Sequence, residues 1–160
     1  MIAILEGTDA VGKSTHAEWA AGRHDALLHH YGRPDGNHPI DEYVLRVAGN
    51  AARNIIMDRS FIGSWVWAKA GFHPPILKPD QWNMVCSWYA EQGAQVTIIV
   101  RPDDEIADTI RSRGETEREV VEAVLGQELF IELALSHEIL YMPVHLVTSD
   151  GFHSKRRGTT

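Results

Sequence analysis

The first residues with the types and spacing to do chemistry lie near the start of the chain, in the stretch GTDAVGKS. Gly7, Gly12, Lys13 and Ser14 fit the pattern G-x-x-x-x-G-K-[ST], between an apolar run and a helix-like segment. Glycines let a loop turn its N–H groups inward onto a phosphate at the positive end of a helix. A lysine adds a mobile charge for the outer phosphates, and a serine hydroxyl suits Mg²⁺. The stretch predicts a nucleotide-binding loop, in preference to a tight glycine turn with a purely structural role.

A second set of charged residues follows the ends of other apolar segments. The stretch NIIMDRS ends a predicted strand with Asp58, where proteins with such a loop place the acid that holds the Mg²⁺ shell. Ser14 and, through water, Asp58 are therefore the predicted ligands of a Mg²⁺ that accompanies ATP. Arg59 comes next, with a planar guanidinium that suits bidentate capture of a phosphate, and GRP places Arg33 after another strand. For both arginines the alternative is a surface salt bridge.

An arginine-rich stretch, IADTIRSRGETEREVVEA, joins two helical segments. Arg111, Arg113 and Arg118 alternate there with acidic residues. One interpretation is a solvated helix face with ion pairs at i,i+3 and i,i+4 spacing. The other is a mobile lid, with Gly114 as a joint, that brings arginines to the triphosphate. On spacing alone the solvated face is favoured.

Apolar segments alternate with helical ones along the chain, which is typical of a parallel sheet covered by helices on both faces. The predicted strands are 1–6, 26–32, 52–58, 94–100 and 142–148, and the predicted helices are roughly 13–23, 39–49, 60–69, 79–92, 103–113 and 116–139. Ligands of such sheets sit beyond the carboxyl ends of the strands, and Arg33, Asp58 and Arg101 all lie at or just after such ends. The sequence predicts one α/β domain of about five strands over residues 1–150.

Composition and charge exclude several classes of function. The net charge of −7 argues against broad nucleic-acid binding, and the basic cluster SKRRGTT lies in 151–160, a predicted flexible tail. The nine histidines are scattered, and the neighbours His29 and His30 would point to opposite faces of a strand, so no spacing indicates zinc. No apolar stretch reaches the roughly 18 residues of a membrane span. A single cysteine, Cys86, fits a reducing, cytoplasmic setting.

Three motifs together resemble the thymidylate kinase family of nucleoside monophosphate kinases: LEGTDAVGKST, DRS after the third strand, and RSRGETER. FIELA at 130–134 and the closing strand fall in matching order. The resemblance implies a three-layer P-loop kinase fold. It also implies that an acid at the position of Asp9 lies near the sugar of the acceptor. The arginine of the D-R pair, here Arg59, would hold the acceptor phosphate, and Arg33 matches the family's arginine after the second strand.

The resemblance decides between the two interpretations of the arginine-rich stretch. Family members carry a catalytic arginine either in the loop, at the position of Ala10, or in a lid with the pattern R-x-R-G-E-x-[DE]-R. The alanine and RSRGETER make this chain similar to a compact, phage-like member with a bacterial-type lid, here about 111–120. Arg118 and Arg113 are then implied to act on the transferred phosphoryl group. The implied ATP contacts are Gly7, Thr8, Asp9, Ala10, Val11, Gly12, Lys13, Ser14, Thr15 and Arg111.

The chain departs from the family in its length and in the D-R motif. It is shorter, and Ser60 follows the D-R pair where tyrosine is common, so that DRS also resembles the E-R-S stretch of deoxynucleoside kinases. Phe61 and Trp65 share a helix face after the third strand. Trp67 and Phe72 follow the same strand, and either one of these four rings stacks on a base or all of them belong to the core.

The resemblance implies an ATP-dependent deoxynucleoside monophosphate kinase, with dTMP as the first choice of acceptor. The implied catalytic residues are Lys13, Asp9, Arg59, Arg118 and Arg113, and the implied acceptor-binding residues are Asp9, Arg33, Arg59, Phe61 and Trp65. Two alternatives stay open: a deoxynucleoside kinase with Asp58 or Glu6 as general base, and a nucleotide-binding regulator without turnover. ATP and the acceptor are the expected partners, and both a monomer and a homodimer are compatible with the sequence.

Overall fold

A computed structural model of the chain describes residues 1–32, 40–50, 52–72, 74–75, 77–136 and 141–149. Arg33 and the tail at 151–160 lie outside these ranges. The elements in chain order are β1 (Ile2–Glu6), α1 (Lys13–His24), β2 (Leu27–His30), α2 (Ile40–Ala48), β3 (Ile55–Asp58), α3 (Phe61–Lys69), α4 (Pro79–Glu91), β4 (Ala94–Val100), α5 (Asp103–Ser112), α6 (Glu117–Leu135) and β5 (Val144–Thr148). The predicted elements are all present, with ends that differ by a few residues.

The strands form one five-stranded sheet in the order β2-β3-β1-β4-β5, and every neighbouring pair is parallel. Parallel neighbours need crossover connections, and the helices between the strands supply them. Strand β3 is buried along its whole length, as expected for a sheet covered on both faces. The predicted α/β fold class is confirmed.

The sheet separates two apolar clusters because alternate residues of a strand point to opposite faces. On one face Ile4 and Ile98 pack with Phe61 of α3 and Tyr89 of α4. On the other face Leu5, Ile56 and Ile99 pack with α1 and α5. Helix α6 contributes to both clusters, with Ala123 in one and Phe130 in the other. It therefore ties the two layers of helices together.

Local sequence explains where the helices that matter for the site begin. The Ser60 hydroxyl accepts a hydrogen bond from the amide of Ile62, 3.1 Å away, and caps α3 directly after β3. Thr116 and Glu119 form a reciprocal capping box at the start of α6. The sequence pattern predicts that α6 runs to 139, whereas the helix ends at Leu135, and 137–140 lie outside the described ranges.

The sheet brings the predicted functional segments to one edge. The phosphate-binding loop follows β1, Asp58 and Arg59 lie at and just after the end of β3, and Arg101 follows β4. These three strands are neighbours in the sheet, so their carboxyl ends meet. In the part of the chain that the structure describes, no helix has the length and apolar character needed to cross a membrane.

Candidate active site

The loop between β1 and α1 has the backbone that a phosphate cradle needs. Gly7 has a φ of 138°, and a Cβ there would collide with the carbonyl oxygen of Ile99 in β4, so the position requires glycine. Gly12 has a φ of 84° and is the N-cap of α1, with no side chain capping the helix. The first N–H groups of α1 are therefore not taken by a cap and face the loop, as a bound anion requires.

The Lys13 side chain points back into the loop. Its ammonium group is buried and donates a hydrogen bond to the backbone carbonyl of Thr8. Burial, followed by the positive charge of Arg59, lowers the pKa of Lys13 to about 8. An anion in the loop would offset both effects, because it would pair with the ammonium group and compensate its charge.

Glu6 is a buried carboxyl group beside this lysine. Its Oε1 accepts hydrogen bonds from the Ser60 hydroxyl, 2.6 Å away, and from the Gly63 amide, 3.1 Å away. No partner among the described residues reaches Oε2. Burial raises the pKa of Glu6 to about 7, although the Ser60 bond and the charge of Lys13 oppose the shift. Sequence reasoning named Glu6 only as an alternative base and did not predict this environment.

Arg59 and Asp9 form an ion pair between the end of β3 and the loop. The Nη2 of Arg59 lies 2.6 Å from Oδ1 of Asp9, and both side chains are partly buried. Arg59 has a φ of 72°, a left-handed conformation that a non-glycine residue adopts reluctantly. The amide of Arg59 donates to the carbonyl of Leu5, 3.0 Å away in β1, and this bond supports the turn. The structure thus joins two of the predicted acceptor-binding residues.

Asp58 is buried, and one of its two carboxylate oxygens is hydrogen-bonded. Its Oδ2 lies 2.7 Å from Nδ1 of His30, while Oδ1 has no partner among the described residues. Mg²⁺ in nucleotide sites uses one or two protein oxygens besides phosphates and waters. The unpartnered carboxylate oxygen and the exposed hydroxyl-bearing residue Ser14, in the first turn of α1, fit such an ion. Sequence reasoning missed His30, because only the register of β2 against β3 places it opposite Asp58.

The three arginines of the predicted lid are solvent-exposed, and each is paired with a carboxylate, of which that of Glu122 is nearly buried. Arg111 binds Glu117 through Nε at 2.6 Å and Nη2 at 2.9 Å, and Arg113 lies 3.8 Å from Glu115. Arg118 lies 2.8 Å from Glu122, with 84% of its side chain exposed. These contacts are the ones expected of a solvated face, so the catalytic roles of the three arginines stay predictions.

Helix α6, which carries Arg118, nevertheless contacts the phosphate-binding loop. The Thr8 hydroxyl donates to the carbonyl of Ala123 at 2.6 Å, in a buried position. At Gly126 an added Cβ would lie 2.7 Å from the ring of Trp67 and 3.2 Å from the Thr8 hydroxyl, so the helix packs closely against α3 and the loop. Arg118 lies less than two turns before Ala123 on a helix fixed to the loop.

The two aromatic residues predicted to contact a base lie in different environments. Phe61 is fully buried and packs against Tyr43, Trp82 and Tyr89, so it lies in the core and not in an open site. Trp65 is partly buried and lies 5.1 Å from the Trp82 ring, at the side of a cavity of about 600 Å³ between α3 and α4. The contact of Trp65 with a base stays a prediction.

Comparisons with known proteins identify the fold. No family model matches the chain, and no curated protein matches its sequence. Among solved structures, YorR from Bacillus subtilis in complex with phosphorylated GDP has a TM-score of 0.70 and 19% identity over 98% of this chain and 93% of that chain. Deoxyadenosine kinase from M. mycoides with dCMP and a flexible dCDP has a TM-score of 0.57 and 14% identity over 94% and 90%. The same kinase with dCTP has a TM-score of 0.55 and 13% identity over 99% and 100%. The chain therefore has the P-loop kinase fold.

Proposed function

We propose that the protein transfers the γ-phosphoryl group of ATP to a deoxynucleoside 5′-monophosphate, with dTMP as the first choice of acceptor. The observation that carries this proposal is the proximity of two cations, Lys13 and Arg59, each held in place at the same edge of the sheet. Burial and the positive charge of Arg59 lower the pKa of Lys13, and the nearby carboxylates of Asp9, Glu6 and Asp58 oppose that shift without cancelling it. Further anions would therefore stabilise the two cations. A donor phosphate at the loop and an acceptor phosphate at Arg59 supply such anions.

In the proposed reaction, different residues of the chain bind the phosphate donor and the acceptor. The N–H groups of the loop bind the phosphates of ATP, and Lys13 leaves the Thr8 carbonyl to contact the outer phosphates. Arg59 holds the acceptor phosphate, and Asp9, oriented by Arg59, faces the sugar. An acceptor phosphate oxygen is already anionic, so positioning and charge stabilisation suffice and no general base is needed.

Arginines of the predicted lid and a metal ion neutralise the remaining negative charge on the transferred group. Arg113 and Arg118 exchange Glu115 and Glu122 for the transferred phosphoryl group as the lid closes. Ser14 and, through water, Asp58 would hold Mg²⁺, which neutralises and orients the outer phosphates when it is bound with ATP. His30 fixes one oxygen of Asp58 and leaves the other for that water.

The structural neighbours support a nucleotide substrate in general terms. YorR was solved with phosphorylated GDP, and the M. mycoides kinase was solved with dCMP and dCDP. Both are similar to this chain over nine tenths or more of its length. Monophosphate and free nucleoside acceptors are both compatible with that similarity.

One observation favours a second candidate, a deoxynucleoside kinase. A neutral 5′-hydroxyl must lose a proton during attack, and Glu6 is a buried carboxyl with a pKa of about 7 and one unpartnered oxygen. A general base with a pKa near the working pH is the effective kind. Asp58, the other candidate base, also has one bound oxygen and one without a partner among the described residues, and it is assigned above to the water of the Mg²⁺ shell.

A panel of acceptors distinguishes the two candidates. ADP release from ATP is measured with the common nucleosides and their monophosphates, deoxy and ribo, for the wild type and for Glu6→Gln. We expect monophosphates to be the faster acceptors, and Glu6→Gln to slow them by less than about tenfold, because no base is required. Faster turnover of any free nucleoside than of every monophosphate, with a loss of about 10²–10⁴ in Glu6→Gln, would establish the second candidate instead.

A further inference from the structure

Arg101, directly after β4, joins the phosphate-binding loop to helix α5. Its Nη1 donates to the carbonyl oxygen of Ala10 in the loop at 3.3 Å and to the Thr109 hydroxyl at 3.0 Å. Its Nε donates to the carboxylate of Glu105 at 2.6 Å. One guanidinium group thus connects the loop with two successive turns of α5, and none of the roles assigned above uses it.

The backbone of Arg101 is itself fixed by Gln127 from α6. The Arg101 amide donates to Oε1 of Gln127 at 2.9 Å, and Nε2 of Gln127 donates to the Arg101 carbonyl at 2.8 Å. The same Nε2 lies 2.7 Å from Oδ1 of Asp103 at the start of α5. Gln127 is buried. A buried side-chain amide that satisfies both polar groups of one residue leaves the backbone of Arg101 little freedom.

Ala10, the loop residue that Arg101 contacts, has an unfavourable backbone conformation. Its φ is 64°, in the left-handed region that a residue with a Cβ rarely adopts. The N–H groups of a phosphate-binding loop converge on the anion, so a carbonyl that accepts from Arg101 faces away from it. Arg101 therefore contacts the loop from the side opposite the phosphates.

We propose that Arg101, fixed by Gln127, is a positioning residue that holds the phosphate-binding loop in its anion-binding conformation from outside. The inference rests on the proposed function only in taking ATP as the ligand of the loop. Arg101 acts through Ala10 and does not touch the substrate. Its forked contacts matter more than its charge, because three acceptors on two elements share one planar group.

The test compares Arg101→Met and Arg101→Lys with Arg23→Met as a matched control. Arg23 lies in the last turn of α1, stacked on Trp19 and far along the helix from the loop. Affinity for ATPγS with Mg²⁺ is measured by calorimetry, turnover by ADP release, and acceptor affinity by calorimetry with dTMP. Circular dichroism checks that each variant is folded.

We expect Arg101→Met to weaken ATPγS binding about tenfold, the loss typical of a hydrogen bond from a charged donor, and to lower turnover. Acceptor affinity should stay at the value of Arg23→Met, and Arg101→Lys should not restore ATPγS affinity. Equal ATPγS affinity in Arg101→Met and Arg23→Met, or full recovery in Arg101→Lys, would overturn the proposal. If Arg101→Met does not fold, Arg101→Lys is compared with Arg23→Met instead. Weaker ATPγS binding in Arg101→Lys then supports the proposal, and equal affinity overturns it. A wild type that binds ATPγS without phosphoryl transfer would refute the proposed function while leaving this comparison intact.

Discussion

Lys13 and Glu6 show how burial acts on individual residues of the site. Burial lowers the pKa of the lysine to about 8 and raises that of the glutamate to about 7, so each charged form is disfavoured. Each charge opposes the shift of the other, and the phosphates of a nucleotide would add anions beside the lysine. Such anions would stabilise the charged form of Lys13 and would disfavour the charged form of Glu6 still more.

Replacing Lys13 by alanine tests the central cation of the loop. The side chain is buried against the loop and is no part of either apolar cluster, so we expect Lys13→Ala to keep its far-ultraviolet circular dichroism and its melting temperature within a few degrees. Phosphoryl transfer should fall by several orders of magnitude, because the charge on the transferred group loses its nearest partner. Near-normal turnover in a folded variant would mean that the loop does not hold the donor phosphates.

The raised pKa of Glu6 predicts a dependence of stability on pH. Its pKa is about 7 in the folded protein against an ordinary value of 4.5, so the folded state binds more protons between these values than the unfolded state. The free energy of unfolding therefore gains from Glu6 at low pH and loses that gain as the pH rises through about 7. Glu6→Gln keeps an oxygen for Ser60 and Gly63 and removes the titration.

We expect the unfolding free energy of Glu6→Gln to depend less on pH than that of the wild type between about pH 5 and 8. Urea denaturation at several pH values measures it. The shift of Lys13 acts at higher pH, between about 8 and 10.5, and is separate. Parallel profiles for the two proteins across the lower window would show that Glu6 titrates normally.

Residues that share a motif could be predicted from the sequence, and residues that meet through packing could not. The positions of Lys13, Ser14, Asp58 and Arg59 follow from a loop pattern and from the ends of strands. His30 reaches Asp58 only through the register of two strands, and Gln127 reaches Arg101 across 26 residues of chain. Neither of these two contacts is indicated by a local sequence pattern.

At the scale of elements, the alternation of apolar and helical segments was sufficient to predict the sheet and its helices. The packing of α6 was not predictable, because it depends on a single small residue against α3 and the loop. This helix carries Arg118 at its first turn and binds the loop at Ala123. The segment predicted to form a lid and the loop are therefore joined through α6.

Arg118→Ala tests whether α6 delivers a catalytic group. Ala10 leaves the loop without an arginine, and an arginine that acts on the transferred phosphoryl group is worth roughly 10³–10⁵ in turnover. We expect a loss of at least about a hundredfold in kcat with little change in affinity for ATP or acceptor, because the contact forms mainly in the transition state. Steady-state kinetics and calorimetry measure the two quantities, with Arg23→Ala as control. A variant within about twofold of wild type would show that the pair with Glu122 is only a surface ion pair.

Two glycine-to-alanine variants test the packing of α6. At Gly126 a Cβ would lie 2.7 Å from the Trp67 ring, so we expect Gly126→Ala to lower stability by about 1–2 kcal/mol despite the better helix propensity of alanine. At Gly22 in α1 nothing lies within 4 Å, so Gly22→Ala should gain up to about 1 kcal/mol. Urea denaturation measures both. Equal stabilisation in the two variants would contradict the close contact.

For the whole molecule, comparison of structures identifies the fold, whereas comparison of sequences finds no match. No family model matches, yet YorR superposes over 98% of the chain at 19% identity. The thymidylate kinase resemblance rested on short motifs at strand ends and on the lid, and the solved neighbours support the P-loop kinase fold that those motifs implied. The motifs do not encode the base of the acceptor, and Phe61, one of the two predicted base contacts, lies in the core.

The whole molecule has a net charge of −7, yet it gathers Lys13 and Arg59 at one edge of its sheet. A negative surface disfavours binding of extended polyanions, and a local cationic site admits a small one. This distribution fits nucleotides better than nucleic acid as substrates.

Phosphorus NMR of the wild type with ATP, Mg²⁺ and the common deoxynucleoside monophosphates tests the proposed transfer, because it follows the γ-phosphoryl group itself. We expect the resonances of a deoxynucleoside diphosphate and of ADP to grow at equal rates, with little inorganic phosphate, and Lys13→Ala to produce neither. Growth of inorganic phosphate with unchanged monophosphates, or no consumption of ATP with any acceptor, would contradict it.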